Sequence, residues 1–145
     1  MSAIYRSKVV TYAPEDMYLL VNNIAAYPEF LPRCVSAEIL SQQEDRLTAT
    51  LSLSIGGIRK SFTTNNTMQY GRRIDMQLAD GLFKELSGYW VFDVTNDGYC
   101  HIRFYMCYEF ENKIVQYTIG KAFYKVFDAM MDAFLKRAKE IYGEA

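Results

Sequence analysis

Between Cys34 and Phe110 the apolar residues recur at every second position, and beyond Asn112 they recur at every third or fourth. The first spacing is that of strands with one buried face, the second that of an amphipathic helix. Leu47, Ala49, Leu51, Leu53 and Ile55 alternate with Thr48, Thr50, Ser52 and Ser54, and Gly56-Gly57 supplies a turn. Ile58, Phe62 and Met68 share one face of the next strand, on which Lys60, Thr64 and Asn66 also fall. Ile74, Met76 and Leu78 line up next, then Leu86, Gly88, Trp90, Phe92 and Val94. Asn96-Asp97-Gly98 is a hairpin signal, and Cys100, Ile102, Phe104, Met106, Tyr108 and Phe110 form the last alternation. With a β-rich first segment, Ala3 to Tyr12, the pattern predicts six or seven antiparallel strands.

Two helices are predicted. Pro14 suits a first helical position and is followed by Glu15 and Asp16, where the helix dipole favours negative charge. Met17, Leu20, Val21 and Ile24 continue at helical spacing to about Ile24. Pro28 and Pro32 then bracket at most one further turn and hold Tyr27, Phe30 and Leu31 in a forced loop. A second apolar turn is Gly81-Leu82-Phe83. From Asn112, a good N-cap, to Tyr142 there is no proline, and Ile119, Phe123, Phe127, Met130, Phe134, Ala138 and Ile141 follow one helical face. That is one helix of about 45 Å at 1.5 Å rise per residue, with Gly143 as its C-cap and Gly120 as an interior weakness.

A sheet with one apolar face and a helix this long predict an α+β domain, 1–145, in which the sheet curls around the C-terminal helix. A gap between them would be lined by Phe62, Met76, Trp90, Phe92, Met106, Phe127, Met130, Met131 and Phe134, with Phe30-Leu31 and Leu82-Phe83 as its lip. The soft Met side chains and the small Gly88 beside Trp90 favour a cavity. The same residues are equally able to fill the space.

Charge and chemistry narrow the function. The chain has 145 residues and a formal net charge of −1, so it lacks the basic surplus of a sequence-independent DNA binder. Lys121, Lys125, Lys136, Arg137 and Lys139, with Arg72-Arg73, are able to form a local basic face, although Asp128, Asp132 and Glu140 are interspersed. No run approaches the roughly 20 apolar residues of a membrane helix. The N-terminus lacks a signal peptide's basic start and apolar core, and the expected location is cytoplasmic or peripheral to the inner membrane. Cys34, Cys100 and Cys107 form no CxxC pair and are expected as reduced thiols, without a metal. His101 is the only histidine and alternates outward. Glu85, Asp93 and Glu109 are the candidate acid–base groups and read as solvated. Lys60, Thr64 and Asn66 are candidate polar anchors for a ligand. No nucleophile elbow, phosphate loop or dinucleotide fingerprint occurs.

The segments Tyr12-Ala13-Pro14-Glu15-Asp16-Met17-Tyr18, Tyr27-Pro28-Glu29-Phe30-Leu31-Pro32-Arg33-Cys34, Phe62-Thr63-Thr64-Asn65-Asn66 and Asp80 to Phe92, with Phe110-Glu111-Asn112-Lys113 and the Met130, Ala133-Phe134, Arg137-Ala138 ending, resemble the coenzyme Q-binding (START-like, polyketide cyclase and lipid transport) family. Within it the chain is similar to bacterial RatA-type ribosome-association toxin proteins. The resemblance implies the helix-grip fold and a deep apolar cavity. It also implies two non-enzymatic functions: binding of ubiquinone or a similar isoprenoid lipid in support of respiration, with transient membrane contact, or binding of the large ribosomal subunit so that subunits fail to associate. A cyclase or dehydratase activity, known in the wider superfamily, is a third reading. No cofactor is required; the quinone would be a ligand.

Overall fold

The computed structural model describes residues 1–144. Seven strands, β1 (Ser2–Val10), β2 (Cys34–Gln42), β3 (Arg46–Ile55), β4 (Ile58–Gln69), β5 (Arg73–Gly81), β6 (Phe83–Val94) and β7 (Cys100–Phe110), form one antiparallel sheet. The order is β1-β7-β6-β5-β4-β3-β2, so β2 to β7 make a meander and β1 returns to the edge of β7. Helix α1 (Pro14–Asn22) and a 3-10 helix (Ile24–Glu29) connect β1 to β2, and α2 (Lys113–Tyr142) follows β7. The curled sheet grips α2: this is the α+β helix-grip fold.

Strand β7 carries the alternation most completely, with Cys100, Ile102, Phe104, Met106, Tyr108 and Phe110 buried and the residues between them half-buried. The opposing face is supplied by α2, which buries Phe123, Val126, Phe127, Met130, Met131 and Phe134. The Val115 N–H donates to Asn112 Oδ1 at 2.9 Å, and Gly143 at φ 79° ends the helix. Both caps fall where the sequence put them. Helix α1 closes one end of the grip with Met17, Tyr18, Leu20 and Val21.

Two boundaries differ from the sequence expectation. The first strand stops at Val10 rather than Tyr12; the Tyr12 hydroxyl instead donates to the Gly143 carbonyl at 2.6 Å, tying the strand exit to the end of α2. Helix α1 ends at Asn22, and the chain tightens into 3-10 winding that contains Pro28. An α-helix continued through Pro28 would lose a donor and press the ring against the Ile24 carbonyl.

Two bulges shape the sheet next to the site. Phe83 pairs with Phe110 and Glu85 with Glu109, so Lys84 is an inserted residue. Thr63 pairs with Asp80 and Thr64 with Leu78, which makes Ala79 the other insertion. Each reverses the in–out parity of the strand beyond it.

Candidate ligand cavity

Under Trp90, between the sheet and α2, lies a cavity of about 40 Å³. That is an order of magnitude below the roughly 300–1,000 Å³ of a drug-sized ligand site and enough for a few water molecules at most. Of the residues expected to line a gap, Phe62, Met76, Trp90, Met106, Phe127 and Met130 do so. Phe92, Met131 and Phe134 are buried in the surrounding core instead. Ile24, Tyr27, Ala49, Leu51 and Phe104 also line the cavity. The alternation already placed Ala49, Leu51 and Phe104 on the inward face; the two residues from the 3-10 helix carried no such signal, because their approach depends on how that turn folds over the sheet.

One wall is polar. Thr64 and Asn66 are successive inward residues of β4, both buried, and the Thr64 hydroxyl donates to Asn66 Oδ1 at 2.9 Å. Burial of an amide is unfavourable unless its groups are bonded. The Asn66 amide also carries two donors, so a carbonyl entering the cavity would find a partner there. Opposite are apolar walls: Trp90 stacks on Phe104 at 4.4 Å and meets the edge of Phe134 at 5.2 Å. Tyr27 is held by a hydrogen bond from its hydroxyl to the Val21 carbonyl, and burial pushes its phenol well above the usual range.

The two apolar turns are closed. Leu31 and Phe83 are buried. Phe30 is half-buried and packs against Tyr27 and Phe134, 6.0 and 5.3 Å away. The Arg137 guanidinium lies 5.1 Å from the Phe30 ring centre and donates to Glu29 Oε1 at 3.1 Å, latching the Tyr27-to-Pro32 segment onto α2. Phe83 sits in an aromatic cluster with Phe62, Phe110 and Phe123, at 5.6, 4.9 and 5.3 Å.

The candidate acid–base groups lie elsewhere. Glu85 and Glu109 face each other across the outer sheet surface, and His101 sits opposite Asp93 and Val9 there. Lys60 is half-buried near the β3–β4 turn, paired with Leu53 and off the cavity. Among the described residues no carboxylate, histidine or lysine lines the cavity. Cys34 and Cys100 are buried free thiols, and Cys107 is half-buried on the other face of β7.

The pattern of the polyketide cyclase / dehydrase and lipid transport family matches residues 10–135. The chain belongs to that family. A family relative, the ribosome association toxin RatA of Vibrio cholerae, is 40% identical over 144 residues, covering 99% of this chain and 100% of the relative. The mitochondrial coenzyme Q-binding protein of Dictyostelium discoideum is 26% identical over 145 residues, covering 96% of this chain and 70% of the relative. Among solved structures, the Zhui aromatase/cyclase from Streptomyces sp. R1128 superposes with a TM-score of 0.82 over 99% of each chain at 11% identity, a likeness of fold alone. The relatives by sequence are thus named for ribosome association in one case and for coenzyme Q binding in the other. No helix among the described residues is long and apolar enough to cross a membrane.

Proposed function

We propose that this chain is a non-enzymatic binding protein whose inner cavity receives the head group of ubiquinone or a similar isoprenoid lipid. The observation that carries this reading is the Thr64–Asn66 pair, a hydrogen-bonding wall in a largely apolar cavity that no carboxylate, histidine or lysine of the described residues lines. A quinone needs that combination: donors for a carbonyl oxygen and dry walls for the ring and first isoprene units. Each CH2 transferred from water to such walls contributes about 0.8 kcal/mol. Occupancy requires the cavity to widen. Met76, Met106 and Met130 are the walls best able to yield, since unbranched thioethers repack at little strain.

Trp90 is the only tryptophan and lines the cavity, so its fluorescence reports occupancy. Titration with a short-chain ubiquinone is expected to quench it saturably, and Asn66→Leu to weaken the affinity by about tenfold, the value of one lost hydrogen bond. Quinone is also expected to co-purify from a quinone-making host and to be detected by mass spectrometry. Absence of co-purified quinone together with unsaturable quenching would sink the proposal.

A second reading is favoured by the 40% identity to the Vibrio cholerae ribosome association toxin over the full length of both chains. In that reading the outer surface binds the large ribosomal subunit and blocks subunit association. Sucrose-gradient profiles of a lysate given excess protein decide it: free subunits should accumulate at the expense of assembled ribosomes.

A further inference from the structure

The charge of α2 is divided unevenly along its length. Lys113, Lys121 and Lys125 are the only charged residues between positions 113 and 127, whereas Asp128, Asp132, Lys136, Arg137, Lys139 and Glu140 balance one another beyond. The first turn contains no acidic residue, although a helix N-terminus favours negative charge and disfavours Lys113. The helix dipole therefore does not explain Lys113. Among the described residues, the ion pairs made by α2 all lie from Asp128 onward: Arg6–Asp128, Arg137–Glu29, Arg137–Glu140 and Lys139–Glu144.

The same stretch exposes apolar surface. Ile114 is 77% and Tyr117 91% exposed. At 100° per residue, Lys113, Ile114, Tyr117, Lys121, Tyr124 and Lys125 fall within an arc of about 120°, and all are exposed. Ile58, 58% exposed at the tip of the β3–β4 hairpin beside Arg59, points to the same end of the sheet. The strand directions set that placement: β4, β6 and α2 all begin there, and the Glu111 N–H donates to the Leu82 carbonyl at 2.9 Å.

We propose that the N-terminal half of α2, with the β3–β4 hairpin tip, docks on an anionic lipid bilayer. Lysines interleaved with exposed apolar side chains match the two layers of such a surface, the flexible ammonium groups reaching anionic head groups while the apolar side chains enter the hydrocarbon boundary. A nucleic acid would use the lysines but leave Ile114 and Ile58 without a partner. The docked face leads inward through Phe110 and Phe123 to Phe83, and from Phe83 to Phe62, which lines the cavity. The bilayer would thus lie against the aromatic end wall of the core. The idea rests on the lipid-binding reading for its purpose but is tested apart from it.

The test is flotation of the full chain with vesicles of phosphatidylcholine alone or mixed with phosphatidylglycerol, at low and high salt. Binding is expected only to the anionic vesicles and to fade as salt rises. Lys113→Glu, Lys121→Glu and Lys125→Glu are each expected to weaken it by about fivefold, Ile114→Ser with Tyr117→Ser to weaken it too, and Lys136→Glu on the distal half to change it little. Circular dichroism confirms that these surface variants fold. No vesicle binding, or binding that every variant retains, overturns the proposal. So does binding of a poly-uridylate RNA through the same lysines in the absence of vesicle binding. Docking without quinone uptake removes the cavity reading and leaves the docking surface standing; quinone uptake from detergent without docking does the reverse.

Discussion

A methyl group on Gly88 would stand 2.2 Å from the Tyr105 carbonyl oxygen and 3.0 Å from Met106 Cα. Both are backbone atoms of β7 and neither yields without opening the β6–β7 ladder. Gly88 pairs with Met76 on one side and Met106 on the other, so its missing side chain lets two cavity-wall strands approach. Gly88→Ala is expected to destabilise the fold by about 1–3 kcal/mol, an overpacking penalty. Gly120 is the opposite case. Its nearest neighbours to an added Cβ would be Phe110 Cε2 at 3.6 Å and Gln116 Cγ at 3.7 Å, ordinary contacts. Gly120→Ala is therefore expected to stabilise α2 by about 0.5–1 kcal/mol. Urea denaturation of the two variants should move the midpoint in opposite directions; a shift of the same sign in both would contradict the packing described.

At the scale of the element, the bulge at Lys84 turns a surface position into a core one. In an unbroken strand Phe83 would share the outer face of Glu85 and Ser87; the insertion brings it opposite Phe110 and into the aromatic cluster. Phe83→Ser is then expected to cost about 3–5 kcal/mol, as for truncation of a buried Phe, a large part of a single domain's stability. Phe30→Ser removes a half-buried ring held by Arg137 and Phe134, and is expected to leave a folded protein that takes up quinone faster. Equal loss of stability in both variants would make the Phe30 segment a plug like Phe83. The sequence announced the sheet and α2 because their periods repeat over many residues. It did not announce the bulges, since each lies near a strand end and only one or two residues beyond it carry the changed phase. Nor does periodicity carry volume: it put Met76, Trp90 and Met106 on the inner face of the sheet and Phe127 on the facing side of α2, but not the roughly 40 Å³ that their packing leaves open.

For the molecule as a whole, sealing the core means that several weak acids are held neutral inside it. Burial pushes the Cys100 thiol up to about 12 from an ordinary value near 9, and raises Cys34, Tyr18, Tyr27 and Tyr108 in the same direction. For each group the unfolded chain ionises first as pH rises. Above about pH 9 the unfolded state therefore binds fewer protons than the folded state, and stability falls with increasing pH. The contribution of Cys100 is complete below about pH 9 and is lost progressively toward about pH 12. Cys100 is one of several groups that burial raises in this way, so the total slope does not identify the thiol. Cys100→Ala does: it removes the ionisable group and leaves a packing defect that is independent of pH. The stability difference between the wild type and Cys100→Ala, read from urea midpoints, is expected to be constant at neutral pH and to shrink above about pH 9. A difference that stayed constant into that alkaline range would mean that Cys100 ionises as readily in the folded protein as in the unfolded chain, and that water already reaches the floor of the sheet beneath Phe92 and Ile102.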